Sequence, residues 1–214
     1  MRIVLLGSPG VGKGTYADAL SKKFGIPHIS TGNMLREEIK KGTKEGEEAG
    51  RYIEKGNLVP DELTTGILKK RLKKADAQKG FLLDGYPRNL QQAELLKKTA
   101  DVQLAVNFEA DDNTIMARLG GRLTCRQCGA IYHKKNNPPK KEGACDICGG
   151  ELYVREDQKP EVIKQRLKTY REQTKPLISY YKKQGVLFSV SANPPIEEIH
   201  KIIDPVSRQM ENLK

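Results

Sequence analysis

Apolar residues in this chain follow two rhythms, and their alternation predicts the fold. Short apolar runs stand at 2–7 (carried by Ile3-Val4-Leu5-Leu6), 27–29, 81–84, 104–109 and 186–190, and each reads as a buried strand. Between them the apolar positions recur at helical spacing, as in Ala17, Leu20 and Phe24, and across 61–74 and 90–98. A further helix is predicted over 160–175. Pro160 suits its first turn, Ile163, Leu167, Tyr170 and Thr174 share one face, and Pro176 is expected to kink or end it. Strands alternating with helices predict an α/β fold: a parallel sheet of five strands with helices on both faces. Ligands in such folds bind at the carboxyl ends of the strands.

The first strand runs into Gly7-Ser8-Pro9-Gly10-Val11-Gly12-Lys13-Gly14-Thr15, and a helix follows. Strand, glycine-rich turn and helix N-terminus together make an anion cradle. Backbone N–H groups point inward, the helix dipole adds positive potential, and glycines let phosphate oxygens approach the backbone. Lys13 supplies a mobile charge for the outer phosphates. A tight turn with a solvated lysine would not require four glycines within eight residues. In the general phosphate loop a hydroxyl residue directly follows the lysine. Here Gly14 does, and the hydroxyl comes one place later at Thr15.

Length and charge narrow the class. The 214 residues suffice for one sizeable core with insertions, and no apolar run approaches the ~20 residues of a membrane span. No signal-peptide pattern opens the chain, so a cytoplasmic protein without membrane contact is expected. The net charge of +11 invites a nucleic-acid reading. However, much of it is lysine in helical stretches (Lys69, Lys70, Lys73, Lys74), where a solvated face is the commoner meaning, and aromatics for stacking on bases are few.

Four cysteines form two Cys-x-x-Cys pairs, Cys125/Cys128 and Cys145/Cys148, sixteen residues apart, with Gly129 after one and Gly149-Gly150 after the other. This is zinc-ribbon spacing. Four thiolates close a tetrahedral shell around zinc, although iron fits the same ligands, and a closed shell stabilises structure rather than doing chemistry. The flanking Arg118, Arg122 and Arg155 are placed where a flap could carry them to a phosphate. A zinc-ribbon module that binds nucleic acid is the rival class. Arg155 and Arg166 lie eleven apart, about three helical turns, so a continuous helix would set them on one side.

The form G-x-P-G-x-G-K-G-T resembles the adenylate kinases and their nucleoside monophosphate kinase relatives. The resemblance extends over nearly the whole chain, to the long-lid, zinc-containing bacterial type. It rests also on His28-Ile29-Ser30-Thr31-Gly32-Asn33-Met34-Leu35-Arg36, on Gly56-Asn57-Leu58-Val59-Pro60-Asp61, and on Phe81-Leu82-Leu83-Asp84-Gly85-Tyr86-Pro87-Arg88. It implies a core of 1–29, 60–121 and 160–214, a helical monophosphate-binding flap at 30–59 and a lid at 122–159. The activity implied is reversible phosphoryl transfer from ATP-Mg²⁺ to AMP by a monomer. A GTP:AMP phosphotransferase or a pyrimidine monophosphate kinase remains the alternative.

By resemblance, ATP would meet Gly10, Val11, Gly12, Lys13, Gly14, Thr15, Arg118, Arg122, Ile131, Tyr132 and Pro194, with Tyr132 equally able to be lid core. AMP would meet Thr31, Arg36, Ile53, Asn57, Leu58, Val59, Gly85, Tyr86, Pro87, Arg88, Gln92, Arg155 and Arg166. Lys13, Arg88, Arg122, Arg155, Arg166 and Asp157 would carry catalysis, and Asp84 would hold magnesium through water. Two departures stand out: Asn33, where the family usually has aspartate, and Asp157-Gln158, where it commonly has two aspartates.

Overall fold

The computed structural model describes residues 1–213; Lys214, the last residue of the expected core segment, lies outside them. The described strands are β1 (Arg2–Leu6), β2 (His28–Ser30), β3 (Phe81–Asp84), β4 (Leu104–Glu109), β5 (Arg122–Cys125), β6 (Ile131–His133), β7 (Leu152–Tyr153) and β8 (Leu187–Ser191). Five of them form one parallel sheet in the order β2-β3-β1-β4-β8. The other three form a separate antiparallel sheet, β6-β5-β7.

The period of two along β1 sorts its side chains onto two layers. Ile3 and Leu5 pack with α1 (Lys13–Phe24) and α10 (His200–Glu211) through Leu20, Ile202, Val206 and Met210. Val4 and Leu6 face the other way. They meet Leu68 of α4 (Asp61–Leu72), Leu96 of α6 (Leu90–Lys97) and Leu177 and Tyr181 of α9 (Pro176–Lys183). Because β3 and β4 flank β1 on opposite sides, the chain reverses direction across the sheet there. A crevice opens at the carboxyl end of β1, where the glycine loop begins.

Caps fix the helices around this crevice. The α1 helix starts at Gly12 (φ 107°) and ends at Gly25 (φ 64°), both in the left-handed region that favours glycine. Beyond β2, Ser30 Oγ accepts from the Asn33 N–H to start α2 (Thr31–Lys41), and Thr43 Oγ1 accepts from the Gly46 N–H to start α3 (Lys44–Ile53). These two helices lie so close that a Cβ on Gly46 would overlap the Glu38 carbonyl. Asn89 caps α6 and Asp111 caps α7 (Asp112–Gly120) in the same manner. The remaining short helix is α5 (Ala75–Gln78).

The strands expected at 81–84 and 104–109 form with those bounds; β1 ends one residue earlier than expected, and β2 and β8 are each shifted one residue towards the C-terminus. The helix expected over 160–175 forms as α8 (Pro160–Thr169) followed by a π-turn, Tyr170–Thr174; a turn at Lys175 interrupts it and Pro176 opens α9 at its first position. The Lys175 N–H reaches back to the Tyr170 carbonyl at 2.8 Å, so the wider turn absorbs the register around a proline that has no N–H.

Candidate functional site

The largest cavity sits at the carboxyl ends of β1 and β3 and is walled by the glycine loop, Asp84 and five arginines: Arg36, Arg88, Arg122, Arg155 and Arg166. They arrive from α2, the β3–α6 loop, β5, the segment after β7, and α8. Lys13 curls back over its own loop, donating to the carbonyls of Gly7 at 2.6 Å and Ser8 at 3.0 Å. Burial pushes its pKa down to about 8. Asp84 pulls it upward, while Arg88, Arg166 and Arg122 press it further down. Burial, reinforced by the neighbouring guanidiniums, pushes Arg36 down to about 9 and Arg122 and Arg166 to about 10. At neutral pH all remain cations, so the cavity carries a concentrated positive field that a polyanion would relieve.

Asp157 organises part of that field. Its carboxylate receives Arg155 Nε at 2.8 Å and Nη2 at 2.7 Å, and Arg166 Nη1 approaches at 3.1 Å. Burial alone would raise this carboxyl, but Arg166 and Arg155 override it and hold the pKa at about 2. The two arginines therefore meet for a reason other than helical spacing. Arg155 precedes a 3₁₀ turn (Glu156–Gln158), Lys159 is extended, and only Arg166 lies on α8. The shared aspartate brings them together. Gln158, where the family commonly has a second aspartate, is buried with neither end of its amide paired.

Asp84 is held from the other side. His28 Nε2 stands 3.5 Å from its carboxylate, and His28 Nδ1 meets Asp18 at 2.8 Å. Although burial disfavours the imidazolium, hydrogen bonding to Asp18 and Asp84 raises His28 to about 9. A carboxylate kept ionised beside the glycine loop is the donor type a hard cation such as magnesium requires.

Two smaller cavities open from the first, on opposite flanks. One, towards α2 and α3, is lined by Thr31, Arg36, Ile53, Asn57, Leu58, Val59, Arg88, Gln92, Asp157 and Arg166. Thr31 Oγ1 donates to the Gly85 carbonyl at 2.8 Å, as does Arg88 Nε, and Arg36 Nη2 donates to Asn33 Oδ1 at 2.5 Å. The Thr174 hydroxyl, delivered by the π-turn, donates to the Arg88 carbonyl at 2.7 Å. The other flank is lined by Gly10, Gly12, Thr15, Arg118, Arg122, Ile131 and Tyr132, with His133, Asn136, Asn137 and Pro195. Arg118 ties this wall together, donating to the carbonyls of Val11 (3.0 Å), Ala192 (2.7 Å) and Pro194 (2.9 Å).

Some expected residues contribute differently from the parts the resemblance implies. Tyr86 is sealed in the core with its hydroxyl against Thr65 Oγ1 at 3.0 Å, while Pro87 lines the central cavity. Pro194 offers its carbonyl to Arg118, and Pro195 lines the cavity wall. Val11 is buried, and Gly14 lines the central cavity. The site roles of Asp61, Asn89, Thr174 and His28 are not signalled in the sequence, because each depends on a partner ten or more residues away.

In the small sheet, Tyr132 is buried among the cysteines and also borders the flanking cavity. Its hydroxyl lies 3.5 Å from Cys145 Sγ and accepts from the Asp146 N–H at 2.8 Å. The four sulfurs lie within 4.8 Å of one another, and Cys125–Cys148 and Cys128–Cys145 are each 3.5 Å apart. Thiolates around a tetrahedral zinc with ~2.3 Å bonds stand about 3.8 Å apart, so the cluster fits a metal. Disulfides at ~2.05 Å do not fit. The Tyr132 hydroxyl and nearby backbone N–H groups outweigh burial and push the Cys145 thiol down to about 6.

Comparison with known proteins extends this picture. A family model described as "Adenylate kinase" matches residues 5–186. The chain is 50% identical over 206 residues to an adenylate kinase of Caldicellulosiruptor saccharolyticus, covering 94% of this chain and 96% of that protein. It is 45% identical over 217 residues to one of Archaeoglobus fulgidus (99% and 100%), and 47% identical over 210 residues to one of Staphylococcus aureus (95% and 98%).

Proposed function

The chain belongs to the adenylate kinase family, and on that premise we propose how its residues share the work. The reaction is reversible transfer of the terminal phosphoryl group of ATP to AMP, giving two ADP. The observation that carries the assignment of roles is the joining of three cavities. Two smaller recesses open from opposite flanks onto one chamber lined by Lys13 and five arginines. That arrangement suits two nucleotides whose phosphates meet head to head.

The AMP phosphate oxygen attacks the γ-phosphorus in line while the bond to the departing ADP breaks; no protein nucleophile is needed. The glycine loop and Lys13 bind the ATP phosphates, and Arg118 shapes the recess for its base. Arg36 and Arg88 orient the AMP phosphate. Arg122, Arg155 and Arg166 share charge on the moving group, where their planar forks suit bidentate contact. Asp157 sets the spacing of the last two. Asp84 would hold magnesium through water, and the ion neutralises charge on the phosphates when bound. The four cysteines would hold a structural zinc that lets 122–159 close as one piece, with 30–59 as the opposing flap; closure excludes water, and the adenylate kinase lid is itself a standard example of such gating. Reduced thiols in ligand geometry suit the cytoplasm. Among the described residues no helix is long and apolar enough to cross a membrane, and we take the enzyme to act as a monomer on ATP, AMP and ADP.

The test is diphosphate formation from ATP-Mg²⁺ with AMP, GMP, CMP and UMP in turn, then with GTP as donor. ADP formed with AMP alone is expected. Transfer from GTP in preference to ATP would make the chain a GTP:AMP phosphotransferase. No transfer to any acceptor would overturn this division of roles.

A further inference from the structure

Behind the recess between α2, α4 and α6, the side chains of Asp61, Asn89 and Gln92 form a knot of hydrogen bonds. Gln92, 1% exposed, lines the recess. Its Oε1 accepts the Arg88 backbone N–H at 2.8 Å, and its Nε2 donates to Asp61 Oδ1 at 2.7 Å. Asp61 also takes Asn89 Nδ2, at 3.0 Å on Oδ1 and 3.1 Å on Oδ2, and Asn89 Oδ1 accepts the Gln92 N–H at 2.8 Å.

The chemistry of the partners removes a freedom that a glutamine normally has. An amide can rotate by a half-turn and exchange its donor and acceptor ends. Here one end faces a peptide N–H, which can only donate, and the other faces a carboxylate, which only accepts. Turning Gln92 over would set N–H against N–H and oxygen against carboxylate. The amide therefore has one orientation, with one N–H and one lone pair left for a ligand.

We propose that Asp61 is a specificity-determining positioning residue, fixing through Gln92 which amide end meets each edge of the acceptor base and so selecting a 6-amino purine over a 6-oxo purine. This rests on the reading that the AMP base occupies the Gln92 recess. Adenine offers a donor at its 6-amino group and an acceptor at N1, matching the free lone pair and N–H. Hypoxanthine and guanine offer the reverse pair and would need the forbidden half-turn. With Asp61→Asn the partner amide can itself turn over, and with Asp61→Ala the acceptor is gone. In either case the half-turn meets only the Arg88 N–H.

The experiment uses the full-length, metal-loaded protein with ATP-Mg²⁺ and compares kcat/KM for AMP and IMP, which differ at position 6 and N1 without an added 2-amino group. The AMP:IMP ratio should fall about 10-fold or more in Asp61→Asn and Asp61→Ala, mainly through KM, since discrimination by a hydrogen-bonding site comes from groups left unpaired. A merely structural residue would lower both acceptors together and leave the ratio intact, and that result in either variant would overturn the proposal. Asp61→Asn preserves the shape and carries the test if Asp61→Ala fails to fold. Gln92→Leu separates the two levels. If its AMP KM and ratio match wild type, the base does not meet Gln92 and both readings fall. If its ratio collapses while the Asp61 variants keep theirs, only the role of Asp61 falls.

Discussion

Replacing Asp157 by asparagine removes the one carboxylate shared by Arg155 and Arg166 while keeping its shape. In the folded chain this carboxyl is held at about 2, against an ordinary value of 3.8. A folded-state pKa below the unfolded one means stability that is complete above about pH 4 and is lost as pH falls through 2. A gap of nearly two units corresponds to about 2.5 kcal/mol at neutral pH. For a chain of this size that is roughly 5–10 °C in Tm. Differential scanning calorimetry of Asp157→Asn without nucleotide should show a drop of that order. Two signatures separate the electrostatic cause from lost packing. The gap between variant and wild type should close to about half by pH 3, because wild-type Asp157 is by then losing its advantage. Saturating ADP-Mg²⁺ should also shrink the gap, since phosphate oxygens supply the missing negative charge to the same guanidiniums. A deficit equal at pH 7 and pH 3, and equal with and without ADP, would refute the reasoning.

Three further outcomes follow from other contacts. Thr174→Val deletes the hydroxyl that anchors the Arg88 carbonyl, which should raise the AMP KM roughly 5-fold, by about 1 kcal/mol, with Thr174→Ser largely restoring it; equal KM in both variants would remove the anchor from the account. Gly46→Ala forces α2 and α3 apart and should cost about 1–3 kcal/mol, read in urea melts, with a weaker AMP KM; an unchanged midpoint would show that the helices separate freely. Stripping the metal with a chelator under reducing conditions should unfold β5–β7 at a lower temperature than the five-stranded core, followed by hydrogen exchange, and identical exchange in stripped and loaded protein would end the structural-metal reading.

The legible parts of this molecule were those decided locally. β3 is an unbroken apolar run ending in aspartate, and β4 is an apolar run interrupted only by the buried Asn107 before its final glutamate, so their bounds followed directly. The edge strand β8 alternates half-buried and exposed positions, so its ends were blurred. Strands β5–β7 carry no periodicity because a cluster of sulfurs and a buried tyrosine, rather than an apolar stripe, holds them. The glycine loop, the arginines and the cysteines announced themselves by residue type and spacing. What joins them did not. Asp157 meets Arg155 and Arg166 through the 3₁₀ turn between them, a turn without periodicity, and Asp61 reaches Gln92 across 31 residues only when α4 and α6 dock. Helical spacing pointed to the right pair of arginines for the wrong reason, since a shared carboxylate rather than a shared helix face unites them.

The π-turn at Tyr170–Thr174 makes one stretch of this chain tolerant of losing a residue. A wide turn is an α-helical turn with one residue added, so both close the same revolution. Removing one residue there would restore ordinary winding and leave the facing of everything downstream nearly unchanged. Leu177 and Tyr181 would stay sealed against the sheet, while the hydroxyl that Thr174 delivers to the Arg88 loop would be lost or displaced. The same deletion inside α8 or α9 would turn the downstream face by about 100° and break core and site together. In a library of single-residue deletions the segment 170–174 should therefore keep its fold where the helices on either side do not.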